Sequence, residues 1–174
     1  MVRFIVLLIL VFGVVGVRAG DVEPDALGVR VGVSASSLDA LYSQTDVALR
    51  WELAETDRME HERWLGLELD LSVGALAGRG EVALAAGVGP VLLIGKGRCP
   101  LTAEVGLSPT YISRDHFDAD DYGSQFQFTT RGGLGYRLSD RLRLVYCLQH
   151  MSNAELATPN PGLNLHTLTL FFRL

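Results

Sequence analysis

His150, Ser152 and Asn164 are the residues of this chain whose types and spacing could cut an ester. A serine hydroxyl is a weak nucleophile until a base removes its proton. An imidazole two residues away can take that proton and later return it to the leaving alkoxide. A third group must hold the ring in one tautomer, and the amide oxygen of Asn164 is suited to that. Backbone N–H groups just after Ser152, at Asn153 to Glu155, could stabilise the oxyanion.

What makes these residues unusual is the segment that carries them. Leu144, Tyr146, Leu148, His150 and Ser152 alternate with Arg143, Val145, Cys147 and Gln149. Residues two apart in a strand share a face. His150 and Ser152 therefore fall on the apolar face. Asn160, Pro161 and Gly162 form a strong turn signal, with Pro159 before them. The next strand begins near Asn164, and Asn164 and His166 share parity with Leu168 and Leu170.

Alternation runs through the rest of the chain. Val29, Val31 and Val33 interleave with Arg30, Gly32 and Ser34; Val47, Leu49, Trp51 and Leu53 with Ala48, Arg50 and Glu52. Leu65 to Val73 interleave with Gly66, Glu68, Asp70 and Ser72, and similar patterns recur near 82–88, 101–108, 126–138 and 167–174. About eight strands result, a typical number for a small outer-membrane barrel. A soluble sandwich would alternate too. The polar face decides against it. Glu52, Glu68, Asp70, Glu104, Arg50, Arg131, Arg137 and Arg143 could pair inside a narrow lumen, and eight strands leave an interior that side chains fill. A closed barrel also satisfies every backbone group in a bilayer. The expected fold is all-β: an eight-stranded antiparallel transmembrane barrel over residues 20–174, after a signal peptide at 1–19.

The N-terminal segment supports export. Arg3 precedes an apolar run from Phe4 to Val17, and Val17-Arg18-Ala19 fits a small-x-small cleavage site. Losing Arg3 and Arg18 would make the chain more negative than its formal −5. That balance argues against nucleic acid as a partner. Cys99 and Cys147 match no metal spacing and fall outside neighbouring strands, so no disulfide is expected.

An even strand count puts both termini on the periplasmic side. Turns near Glu55–Glu62, Gly95–Arg98 and Ser139–Arg141 are then periplasmic. Loops near Ser36–Leu41, Gly74–Gly80, Pro109–Gly123 and Asn153–Leu163 are extracellular, and the His150–Ser152 group lies at that end. Asp115, Asp118, Asp120 and Asp121 make one loop acidic. A solvated loop is favoured there over a divalent-cation contact. His61 and His116 read as solvated loop residues, and His166 as a rim residue. Trp51 and Trp64 flank one periplasmic turn and fit an interfacial aromatic belt. Gly87, Gly89, Gly95 and Gly97 lack the Lys-Ser/Thr of a phosphate loop and read as strand and turn features.

Alone, His-x-Ser arises often by chance, and a polar barrel rim is the commoner explanation. The stretch His150-Met151-Ser152-Asn153-Ala154, followed by Pro159-Asn160-Pro161-Gly162-Leu163-Asn164, adds to it. It resembles the lipid A 3-O-deacylase (PagL type) family of eight-stranded outer-membrane barrels. The resemblance implies hydrolysis of the ester-linked acyl chain at position 3 of lipid A. It implies His150 as base, Ser152 as nucleophile and Asn153 near the oxyanion hole, on the outside of the barrel. It implies lipopolysaccharide and outer-membrane lipids as partners and no cofactor or metal. A homodimer is left open. Two positions depart from the family pattern: Asn164 stands where its acid is Glu, and Glu155 stands where it has Gly. Glu155 is a second candidate partner for the ring, ranked below Asn164. The rival expectation is a non-catalytic barrel with a structural or adhesion role. A pore is disfavoured by the filled lumen.

Overall fold

The computed structural model describes residues 23–35, 41–56 and 63–174. The expected signal peptide at 1–19 and His61 lie outside them. Among the described residues ten strands form: β1 (Ala26–Ser34), β2 (Ser43–Glu55), β3 (Arg63–Gly78), β4 (Glu81–Lys96), β5 (Leu101–Ile112), β6 (His116–Phe117), β7 (Asp120–Asp121), β8 (Phe126–Arg137), β9 (Leu142–Ser152) and β10 (Leu163–Arg173). Eight of them close into a barrel in the order β1-β10-β9-β8-β5-β4-β3-β2, and β6 and β7 pair separately. Every neighbouring pair in the barrel is antiparallel, including the closing β1–β10 pair. Closure leaves no unpaired edge.

Alternation sorts side chains as expected. Val29, Val31, Val33, Leu84, Val88, Val105, Leu134, Leu148, Leu168 and Leu170 all face outward and are exposed. Such a belt of exposed apolar residues is the surface of a membrane-spanning barrel. The lumen is charged. Asp70, fully buried, accepts from Arg30 (3.1 Å), Arg50 (3.0 Å) and Arg131 (2.8 Å). Arg50 also donates to Glu68 at 2.8 Å and Glu104 at 2.9 Å, and Arg143 reaches Glu68 at 3.0 Å. Arg30 adds a contact to Asp46 at 3.4 Å. The Phe171 ring lies under the Arg50 guanidinium, 4.3 Å from its Cζ. Each buried charge thus meets an opposite one, the condition under which burial is tolerated.

Several expectations are corrected here. Glu52 and Arg137 are exposed and stay out of the lumen network, because both sit near strand ends. Glu52 adjoins a register shift between Glu52 and Ala54. Arg30 and Asp46 take part instead. Trp64 is no belt residue. It shares parity with Gly66 and Asp70, and its indole fills the space above Gly95 at the lumen mouth. The Gly74–Gly80 segment is strand up to Gly78, and only Arg79 and Gly80, both with positive φ, make the turn. Two such residues suit a tight hairpin. Strand β5 runs on to Ile112, so the acidic loop is shorter than expected and holds the β6–β7 hairpin. Both cysteines are free thiols, Cys99 exposed in the turn after β4 and Cys147 buried on β9.

Candidate active site on the outer wall

The site lies where β9 and β10 end beside the 153–162 loop. His150 and Asn164 are direct cross-strand partners in the β9–β10 ladder. Both side chains project outward and are exposed, and Ser152 is half-buried on the same face. The pairing register alone therefore sets Asn164 against the imidazole. His150 Nδ1 and Asn164 Oδ1 are 2.8 Å apart. With the amide oxygen as acceptor, Nδ1–H is the donor and Nε2 keeps its lone pair. That is the tautomer a general base requires.

Gly162, missed as a site residue, sets how the ring lies. It precedes Leu163, which pairs with Met151 at the end of the ladder. A Cβ there would come within 2.9 Å of His150 Cε1 and 3.6 Å of Nε2. The ring thus leans over Gly162, with its Cε1–Nε2 edge turned to that residue. The φ of +70° at Gly162 also favours glycine. No hydrogen bond joins Ser152 Oγ to the ring; catalytic bonds of this kind often tighten only with substrate bound.

After Ser152 the chain turns sharply. Leu156 N–H donates to Asn153 O at 3.1 Å, and Ala154 and Glu155 have φ of 53° and 64°. Two consecutive left-handed residues that are not glycine cost roughly 1–2 kcal/mol each. Asn153 points the other way from Ser152 and is wholly buried. Its Nδ2 donates to Tyr122 O at 3.0 Å and Pro159 O at 2.9 Å, while its own N–H donates to Asn160 Oδ1 at 3.0 Å. The Asn153 N–H is therefore already used, which moves the expected oxyanion donors to Ala154 and Glu155. Glu155 is exposed and does not contact the imidazole; Asn164 holds that position.

The remaining candidates separate from the group. His166 shares the outward face but turns to Tyr146, with Nδ1 2.7 Å from the phenol oxygen and the rings stacked. His116 bridges Asp115 at 3.0 Å and Asp121 at 3.3 Å. Asp115 hydrogen-bonds the exposed His116 ring and raises its pKa above the usual value, with Asp121 adding to the effect. Among the described residues no cluster of His, Cys, Asp or Glu is arranged to hold a metal ion.

Fold and site together define a small transmembrane barrel with a Ser, His and Asn group gathered on its lipid-facing wall. The sequence matches the family described as Lipid A 3-O-deacylase (PagL) over residues 40–173, and the chain belongs to that family. A relative from Bordetella bronchiseptica, described as lipid A deacylase PagL, is 37% identical over 70 residues. That match covers 40% of this chain and 39% of the relative's length. The barrel superposes on the crystal structure of the outer membrane enzyme PagL with a TM-score of 0.74 and 18% identity, over 86% of this chain and 99% of that one. It also resembles the N-terminal barrel domain of OprF from Pseudomonas aeruginosa, with a TM-score of 0.54 and 16% identity over 87% and 98% of the two chains.

Proposed function

We propose that the protein hydrolyses the ester-linked 3-hydroxyacyl chain at position 3 of lipid A, in the outer leaflet of the bacterial outer membrane. Family membership supports the substrate. The observation that carries the mechanism is the 2.8 Å contact between His150 Nδ1 and Asn164 Oδ1 on the apolar outer wall, beside Ser152. A lipid need not leave the bilayer to reach such a site.

Ser152 Oγ attacks the ester carbonyl carbon while His150 Nε2 takes its proton. The carbonyl oxygen becomes an oxyanion facing the Ala154 and Glu155 N–H groups. Collapse breaks the bond to the sugar oxygen, which receives the proton from His150 and leaves as a free hydroxyl. Water, deprotonated by His150, then releases the 3-hydroxy fatty acid and restores Ser152. Asn164 keeps the ring oriented but adds no charge to stabilise imidazolium, so it does part of what a carboxylate would. No step requires a cofactor.

The test is incubation of the purified barrel with lipid A and mass spectrometry of both products. Release of a 3-hydroxy fatty acid and the matching mass loss from lipid A are expected. Equal release by Ser152→Ala would defeat the mechanism. No release by the wild type, in detergent or in vesicles, would defeat the activity and favour a structural barrel.

A further inference from the structure

The loop between β5 and β8 touches the catalytic loop from the lumen side, and we infer that it is a positioning brace for the turn that follows Ser152. The inference builds on the site proposed above but not on its chemistry. The link joins two segments far apart in sequence. Asn153 Nδ2 donates to Tyr122 O at 3.0 Å. Gly123, with φ +71°, lies against Pro159 O so closely that a Cβ could not fit, and that same Cβ would come 3.0 Å from Asn153 Nδ2. Tyr122 and Gly123 thus hold both ends of the 153–159 segment: Asn153 at its start and Pro159 at its close.

A brace must itself be fixed, and this one is. Phe117 is fully buried, and its ring meets Tyr42 at 5.5 Å and Tyr122 at 5.9 Å, both edge to face. Tyr42 and Tyr122 meet at 6.0 Å, so three rings close a triangle over the lumen. Such pairs hold well beyond their area burial. Tyr42 OH donates to Asp120 at 2.8 Å, and Arg79 Nε donates to the same carboxylate oxygen at 2.8 Å. Arg79 in turn holds the Asp120 carboxyl below its ordinary pKa. The hairpin is therefore locked to the β3–β4 turn on one side and to the catalytic loop on the other.

The consequence is mechanical. Ala154 and Glu155 occupy left-handed conformations that strain any residue carrying a Cβ. Inside a turn open to solvent they would relax. Asn153 and Pro159, pinned from within, over-determine the turn and keep it in shape. Tyr122, Gly123 and Phe117 touch no substrate in this scheme; they act through Asn153.

Hydrogen exchange on the full barrel in lipid nanodiscs tests this directly. Phe117→Ala removes the anchor, and Tyr42→Phe is a milder change that keeps the ring but deletes the hydroxyl and its bond to Asp120. At Phe117→Ala, exchange at the bonded Asn153 and Leu156 N–H groups is expected to rise at least tenfold while the rest of β9 and β10 stays protected; Tyr42→Phe should give a smaller rise at the same two groups. Unchanged exchange at Asn153 and Leu156 in Phe117→Ala, with the hairpin itself loosened, would overturn the brace. Kinetics supply a second arm: the Phe117→Ala loss should fall on kcat rather than KM. It should also vanish against an Asn153→Ala background, since both act on one path. Multiplying losses would overturn the inference. A wild type that releases no acyl chain would defeat the proposed activity and leave the exchange result to judge the brace.

Discussion

Polar residues occupy both faces of this barrel wall, under opposite rules. In the lumen, Asp70 meets three guanidinium groups and Arg50 meets three carboxylates, all with little or no exposure. On the outer wall His150 makes one side-chain bond, to Asn164, and Ser152 makes none. The lumen charges are paired with one another, although Asp46 Oδ1 and Glu104 Oε1 accept no hydrogen bond. The outer group keeps a bare Nε2 and a free hydroxyl on the wall that lipid meets. Charges paired inside support the fold; an unpartnered hydroxyl and ring nitrogen on the outer wall are available to react with a lipid.

Two substitutions separate these rules most strongly. Ser152→Ala should lower acyl release by at least about 10³-fold, with no change in the denaturant midpoint of the barrel. Measured rates and unfolding curves on one preparation check both halves. A folded variant with wild-type release would erase the contrast. Asp70→Ala should do the reverse. It strands buried Arg131 and takes one of the carboxylate partners from Arg30 and Arg50, and should cost about 3–5 kcal/mol of stability, read as a shifted unfolding midpoint. Where the variant still folds, turnover should change far less than in Ser152→Ala. A stability loss under about 1 kcal/mol would mean that the lumen charges are not mutually dependent.

The contrast was largely legible in the sequence, because a period of two is the one rule a strand obeys throughout. It placed His150, Ser152 and Asn164 outside and Asp70 and Arg131 inside. The same rule would have put Trp64 in the lumen, since it is even-numbered like Asp70 on β3; its position beside a turn suggested a belt instead. Parity also marks Arg30 as inward, yet its partners Asp46 and Asp70 lie on other strands, and pairing across a lumen depends on stagger. Strand ends were read too early at Gly74 and Pro109, where glycine and proline are usually breakers, whereas β3 and β5 run through them. The contacts of Asn153 were beyond reach. They depend on how two loops meet, and no local pattern encodes that Tyr122 O lies 3.0 Å from its amide.

A finer test exchanges the group behind the imidazole. Asn164→Ala removes the acceptor of the 2.8 Å bond and should cost about 10²-fold in turnover. Asn164→Glu should retain or raise hydrolysis, since a carboxylate orients the ring and also stabilises imidazolium. Steady-state rates on lipid A decide the matter. A silent wild type and a silent Asn164→Glu together would assign the outer polar group to structure, and the difference between the two faces would then concern stability alone.

The smallest effect concerns the strained turn. Glu155 has φ +64° and an exposed side chain. Glycine adopts that conformation freely, so Glu155→Gly removes a native-state cost of about 1 kcal/mol, offset in part by greater freedom in the unfolded chain. The midpoint of equilibrium unfolding should rise slightly or stay level. Turnover carries the more telling outcome. If the 154–159 segment is held by Asn153 and Pro159, glycine at 155 leaves the N–H direction intact and kcat unchanged. A fall in kcat with unchanged stability would show that the Glu155 side chain, and not the internal contacts of Asn153, keeps the turn in shape.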